Sequence, residues 1–259
     1  MYASNYFEQK ILNTAKGATL AAPSTVYVSL YLSNPGDENG GTEVSYDGYK
    51  RQAISFAAPV SQSGGIRAIR NSAQVTFPVA ANDVGTATHI AIMDAQTGGN
   101  MLCYSPIADP LLIKANTEPT LLAESVEFSI SGDLSDYFKQ KILNVLRGES
   151  IPGFTPHMAL FNGHPENGGS ELSGENYGRV SVTMGSVSQE SSGRAVLKNS
   201  AAASFEDPSG NWGSWTHTAV FDSSAEGNPI WVQALSSPWT LKAGYKPVIK
   251  AGALELAVN

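Results

Sequence analysis

Cysteine is almost missing from this chain. Cys103 stands alone, which excludes an intrachain disulfide and a cysteine-rich zinc site. Charge is sparse as well: 15% of residues are charged, and the formal net charge is −7. No basic cluster exceeds the pair Lys50-Arg51, so the electrostatic footprint of a nucleic-acid partner is lacking. No apolar run approaches the ~18–20 residues that span a bilayer. The N-terminus lacks the charged segment and apolar stretch of a secretory signal. The expectation is a soluble protein made in a cytoplasm, with no membrane insertion. Tryptophan is missing from the first half: Trp212, Trp215, Trp231 and Trp239 all lie in the second.

What the chain does have is a repeat. The stretch Ser4-Asn5-Tyr6-Phe7-Glu8-Gln9-Lys10-Ile11-Leu12-Asn13 returns as Ser135-Asp136-Tyr137-Phe138-Lys139-Gln140-Lys141-Ile142-Leu143-Asn144, 131 residues on. Only Asn5/Asp136 and Glu8/Lys139 differ. From the Gly-rich turns at Asn39-Gly40-Gly41 and Asn167-Gly168-Gly169 the spacing settles at 128 residues and holds to the end. Thr88-His89-Ile90-Ala91-Ile92-Met93-Asp94 answers to Thr216-His217-Thr218-Ala219-Val220-Phe221-Asp222, and Asn71-Ser72-Ala73 to Asn199-Ser200-Ala201. A duplication of this length predicts two copies of one folding unit, 1–131 and 132–259.

Each copy opens with a helix. Ser4 or Asn5 caps the first, and Phe7, Ile11 and Ala15 recur at helical spacing, as do Phe138, Ile142 and Leu146 in the second. Gly17 and Gly148 sit where a left-handed residue ends the helix. Burial of this face against a sandwich is expected, with Glu8 and Lys139 outward, where a charge reversal would meet different neighbours. Alternation follows: Val26, Val28, Leu30 and Leu32 fall on one side of a half-buried strand, with His157 to Phe161 as its counterpart. Six or seven short strands are expected per copy, with hairpin tips at 61–65 and 191–193. The fold class is mainly β: two tandem antiparallel β-sandwich units, each with one N-terminal α-helix. The short linker Ser131-Gly132-Asp133-Leu134 predicts a fixed relative orientation.

Chemistry is scarce. His89 and His217 each precede an Asp by five residues, which in a strand places the two on opposite faces rather than in a dyad. His157 and His164 have no ligand spacing, and Asp37, Glu38 and Asp47 lack the calcium-loop pattern. Glu43 with Arg51, repeated as Glu171 with Arg179, reads as an ion pair that closes a turn. No catalytic residue, metal site or cofactor is expected. Cys103 corresponds to Trp231 and Leu111 to Trp239, so packing roles in the core or on a sheet face are expected there. Trp212 and Trp215 lie in the loop Gly210-Asn211-Trp212-Gly213-Ser214-Trp215. They are the candidate binding residues, since an exposed Trp in such a loop stacks on sugars or anchors an interface. The alternative is that they cap the end of the sandwich.

The string Gly41-Thr42-Glu43-Val44-Ser45, with Gly48-Tyr49 and Arg51-Gln52, resembles a family of small tailed-bacteriophage virion proteins described as tail-fibre or minor tail proteins. The resemblance extends through Val75-Thr76-Phe77-Pro78 and Gly98-Gly99-Asn100-Met101-Leu102, and is looser in the second copy. Members of that family usually hold one such unit, whereas this chain holds two. The resemblance implies a non-enzymatic virion protein of the tail tip, baseplate or fibre attachment. Its implied partners are other virion proteins and further copies in a symmetric assembly, with no catalytic residues to carry over. Capsid decoration or a head fibre is the alternative inside the virion. A host-surface glycan bound through Trp212 and Trp215 is the alternative from another class, and a depolymerase is more distant.

Overall fold

The computed structural model describes residues 1–190 and 193–258. Ser191 and Ser192 of the second expected hairpin tip, and Asn259, lie outside the described residues. The first half runs β1 (Tyr2–Ala3), α1 (Asn5–Ala15), β2 (Val26–Tyr31), β3 (Gln52–Ile54), β4 (Val60–Gln62), β5 (Ile66–Arg70), β6 (Val75–Thr76), β7 (Gly85–Met93), β8 (Met101–Ile113), β9 (Thr120–Leu121) and β10 (Glu127–Ile130). The second runs α2 (Asp136–Val145), β11 (His157–Asn162), β12 (Ser170–Glu171), β13 (Val180–Ser181), β14 (Ser188–Gln189), β15 (Ala195–Lys198), β16 (Ala203–Ser204), β17 (Gly213–Phe221), β18 (Pro229–Leu241), β19 (Val248–Ile249) and β20 (Glu255–Val258). The chain is mainly β with antiparallel sheets and one helix opening each half.

Each half builds a large and a small sheet. The first large sheet is ordered β1-β8-β7-β2-β3, and the small one β10-β5-β4. The second half repeats this, with β12-β11-β17-β18 and β13 against β11, and with β14-β15-β20. Short ladders β6-β9 and β16-β19 close each half. The β7–β8 register shifts between the pairs Ala87/Leu111 and His89/Pro106, and the β17–β18 register between Trp215/Trp239 and His217/Ala234. A bulge at the same place in both copies marks it as part of the fold rather than a local accident.

The strand β2 departs from the expected half-burial. Val28 and Leu30 face the main core, but Ser29 and Tyr31 are buried too. A second apolar cluster of Tyr31, Ala91, Met93, Met101 and Tyr104 covers the outer face. Its counterpart is Ala159, Phe161, Ala219, Phe221 and Val232. Alternation in the sequence identified one buried face, and the tyrosines and methionines that cover the other lie far along the chain.

The helices are capped as their sequences predict. Ser4 accepts from Phe7 N–H at 3.2 Å, and Ser135 from Phe138 N–H at 3.0 Å. Each hydroxyl also donates to its own large sheet, Ser4 to Met101 O and Ser135 to Pro229 O. Cap and sheet are thereby joined through one oxygen.

Where the helices pack is the main difference from the expectation. Neither stays within its own half. Helix α1 lies on its own β8 but also on β15 and β20, the small sheet of the second half. Helix α2 lies on its own β18 and on β5 and β10, the small sheet of the first half. The exchange is reciprocal at atomic detail. Gln189 donates to Asn5 Oδ1 at 2.7 Å, and Arg67 pairs with Asp136 at 3.4 Å. Lys16 Nζ donates to Gly185 O at 3.2 Å, and Arg147 Nε to Phe56 O at 3.3 Å. One apolar cluster consequently runs through both halves, from Phe7, Ile11 and Phe128 to Phe138, Ile142 and Leu256.

Glu8 and Lys139 are corrected by the same arrangement. They are 2% and 4% exposed, not outward. Glu8 shares a face with Leu12 at i+4, and Lys139 with Leu143, so both look onto the small sheet of the opposite half. Glu8 accepts from Gln189 at 3.3 Å, whereas Lys139 donates to Gly65 O at 2.7 Å.

Candidate functional site

The charged residues that recur in both halves converge on structural clamps. Arg51 grips Glu43 with two bonds, Nε to Oε1 at 2.8 Å and Nη2 to Oε2 at 2.8 Å. Its Nη1 donates to Ala95 O at 3.1 Å and Gly98 O at 2.6 Å, fastening the β7–β8 turn. Arg179 does the same with Glu171 and with the carbonyls of Ser223 and Glu226. Tyr49 OH accepts from Leu30 N–H at 3.0 Å, and Tyr177 OH from Leu160 N–H at 3.1 Å. Burial pushes both phenols far above their ordinary range, so they remain neutral hydrogen-bonding groups. The sequence-predicted ion pairs are turn closures.

The repeated aspartates close turns as well. Asn100 donates to Asp94 from its backbone at 2.6 Å and from its side chain at 2.8 Å, and Asn228 repeats both bonds with Asp222. Gly99 and Gly227 must be glycine there, because an added Cβ would sit 2.3 Å from the carboxylate in each case. His89 and His217 meet Thr88 and Thr216 at 2.9 Å instead of the aspartates, and burial lowers both imidazoles. Cys103 is fully enclosed and its thiol is pushed up to about 12. Among the described residues no three His, Cys, Asp or Glu side chains are grouped to hold a metal ion, and no helix is long and apolar enough to cross a membrane.

The tryptophans are placed differently from the expectation. Trp212 is 4% exposed and Trp215 is 9% exposed. The Trp212 indole N–H donates to Glu175 O at 3.0 Å, and its ring stands edge-on to Tyr177 at 5.2 Å. Gly174 lets that ring in, since an added Cβ would lie 2.6 Å from Trp212 Cδ1. The Trp215 N–H reaches Thr218 Oγ1 at 3.3 Å. Both rings therefore cap the sandwich, and the exposed stacking faces expected of binding residues at Trp212 and Trp215 are not offered. A Gly/Asn-rich loop suggested exposure, but Gly174, outside that loop, admits the Trp212 indole to the core. Trp231 is buried as expected, whereas Trp239, expected in packing, is 59% exposed.

Exposed large apolar side chains include Leu112 on the outer arm of β8 and Trp239 on that of β18, while Tyr2, Val60 and Val79 are exposed elsewhere in the first half. Leu112 and Leu122 are exposed on the first half, and Trp239, Tyr245 and Val248 on the second. The first arm also flanks a groove of about 460 Å³ lined by Ile90, Ile107, Leu111, Leu121, Leu122 and Val126. In the second half Gln233 stands where Ser105 stands in the first. Its amide donates to Ala253 O at 3.4 Å and accepts from Glu255 N–H at 3.2 Å, bonds that Ser105 does not make in the first half. The halves are alike in core and clamps, and differ on these arms.

The family model described as Podophage GP4 fiber I protein gp80 matches residues 2–129 and again residues 133–257. The chain belongs to this family. Membership in the podophage fibre family makes it a phage fibre protein and a virion component that contacts other virion proteins. The two matches meet at the linker and cover both interlocked halves. No curated protein matches the chain.

Proposed function

We propose that this chain is a non-enzymatic structural protein of the fibre-attachment region, at the tail tip or baseplate. Its two unlike apolar arms would bind other virion proteins and further copies in a symmetric assembly. The carrying observation is the division of labour among residues. Repeated charged groups are used up in internal clamps, while Leu112, Leu122, Trp239 and Tyr245 remain on the surface of a fibre-family fold. Exposed large apolar and aromatic side chains of this kind serve as anchors in protein interfaces. A cryo-EM map of the intact particle tests the reading: density for the interlocked pair at the base of a fibre is expected. Density on the capsid shell instead would replace it with capsid decoration.

A second reading, host-glycan binding, finds its support at Trp239 and not at Trp212 or Trp215, because only an accessible indole face can stack on a sugar. Glycan-array binding that disappears in Trp239→Ala is its expected signature, and silence of the wild-type protein on a broad array would remove it.

A further inference from the structure

We propose that the surface between the halves is a dimerisation surface of the repeat itself, so that its partner is a second copy of the same unit, and that the covalent link through Ser131 and Gly132 serves only as a tether. The proposal does not depend on where the protein sits in the particle.

The contacts carry the signature of a two-fold axis. Leu20 and Ile151 are equivalent residues, and they pair with each other: Leu20 N–H donates to Ile151 O at 2.9 Å, and Ile151 N–H to Leu20 O at 2.9 Å. Thr19 and Ser150 are equivalent, as are Ala22 and Gly153. Ala22 N–H donates to Ser150 Oγ at 2.9 Å, and Gly153 N–H to Thr19 Oγ1 at 3.1 Å. Residue i meeting j while j meets i is the rule of an isologous dimer contact. Where the symmetry breaks, the cause is local. Phe154 N–H donates to Gly17 O at 3.0 Å, but its equivalent is Pro23, which has no N–H to return the bond.

The exchanged helices complete the argument. Each helix packs on the small sheet of the other half, α1 on β15 and β20 and α2 on β5 and β10, and Phe7, Ile11, Phe138 and Ile142 join one shared core, in which Phe7 also meets Phe128 of its own half. Linker length plays no part in those contacts. A second copy of the first repeat would fit as well as the second repeat does: Ala195, beside Glu8, is Arg67 in the first half, so a pair of first repeats would set Glu8 against an arginine instead of an alanine.

The test keeps the whole chain. A protease site is inserted between Ser131 and Gly132, the uncut variant is verified to melt as the parent does, and the linker is then cut in the folded protein. The cut halves are expected to co-elute at micromolar concentration with the mass of the intact chain, 27.3 kDa, and to show a concentration-dependent melting temperature. A matched pair of substitutions isolates the interface. Gly17 and Gly148 both have positive φ, but a Cβ at Gly17 would lie 2.1 Å from Phe154 O across the junction, while at Gly148 nothing lies within 4 Å. Both substitutions strain the backbone alike, so cut Gly17→Ala halves should dissociate at least tenfold more readily than cut Gly148→Ala halves. Separation of the parent halves at micromolar concentration, folded or unfolded, overturns the proposal, as does equal dissociation of the two variants.

Discussion

Arg51 shows how a single residue can hold three pieces of chain. Its guanidinium spends Nε and Nη2 on Glu43 and Nη1 on two carbonyls of the β7–β8 turn, in a site where the arginine side chain is almost enclosed. Removing one partner of such a set strands the other polar groups, which is costlier than the pair itself is stabilising. Arg51→Ala should lower stability by about 3 kcal/mol in urea unfolding. Arg51→Lys should recover little, since a single ammonium cannot reproduce the fork. The Glu43/Arg51 pairing was legible because both charges recur at one spacing in both halves. The burial of Trp212 was not. Its pocket depends on Gly174, almost forty positions earlier, and loop composition says nothing of such a neighbour.

Glu8 gives a pH dependence at the same scale. Burial, reinforced by the nearby carboxylate of Asp37 and opposed by the Gln189 hydrogen bond, raises its carboxyl from 4.5 to about 7. Asp37 itself accepts from Tyr104 at 2.7 Å, which fixes the position of that side chain. The folded chain thus holds a proton that the unfolded chain releases at lower pH. Stability contributed by the neutral form is present below pH 4.5 and is lost as pH rises to about 7, with a flat response above. Glu8→Gln should abolish that slope and melt higher than the parent at pH 8, as followed by thermal denaturation across this range.

At the scale of the element, the helices were readable in their limits but not in their destination. Cap, apolar face and terminal glycine are all local, and the structure has each where the pattern places it. An amphipathic stripe states that a face is buried and leaves open against what. The sequence nonetheless held one unused sign: Glu8 to Leu12 and Lys139 to Leu143 are i,i+4 pairs, so the charged positions lie beside a second buried stripe. The caps invite a paired measurement. Ser4→Ala and Ser135→Ala each remove an N-cap acceptor and a bond to the large sheet, and each should cost about 1–2 kcal/mol. Because each helix covers the opposite small sheet, either substitution should speed hydrogen exchange in β15 and β20 or in β5 and β10, respectively, and not only in the helix.

For the whole molecule, the repeat gave two similar halves, and antiparallel sheets followed from turn spacing and alternation. Independence of the units did not follow. Ten residues at the start of each half carry the cover for a sheet in the other, and no local pattern distinguishes packing in cis from packing across a two-fold axis. Duplication also explains why the halves differ where they do. Clamps and core must fit both copies, while the β8 and β18 arms touch neither helix cap nor clamp and are free to diverge, as Ser105/Gln233 and Leu111/Trp239 have.

The chain supplies its own probes for this account. All four tryptophans report on the second half, and the only cysteine reports on the first. Equilibrium urea unfolding followed by tryptophan fluorescence, and by a brief thiol-labelling pulse at Cys103, reads the two halves separately in one unmodified protein. An interlocked pair sharing one core predicts coincident midpoints for the two signals. Two resolved midpoints, with one half remaining folded after the other has opened, would contradict it.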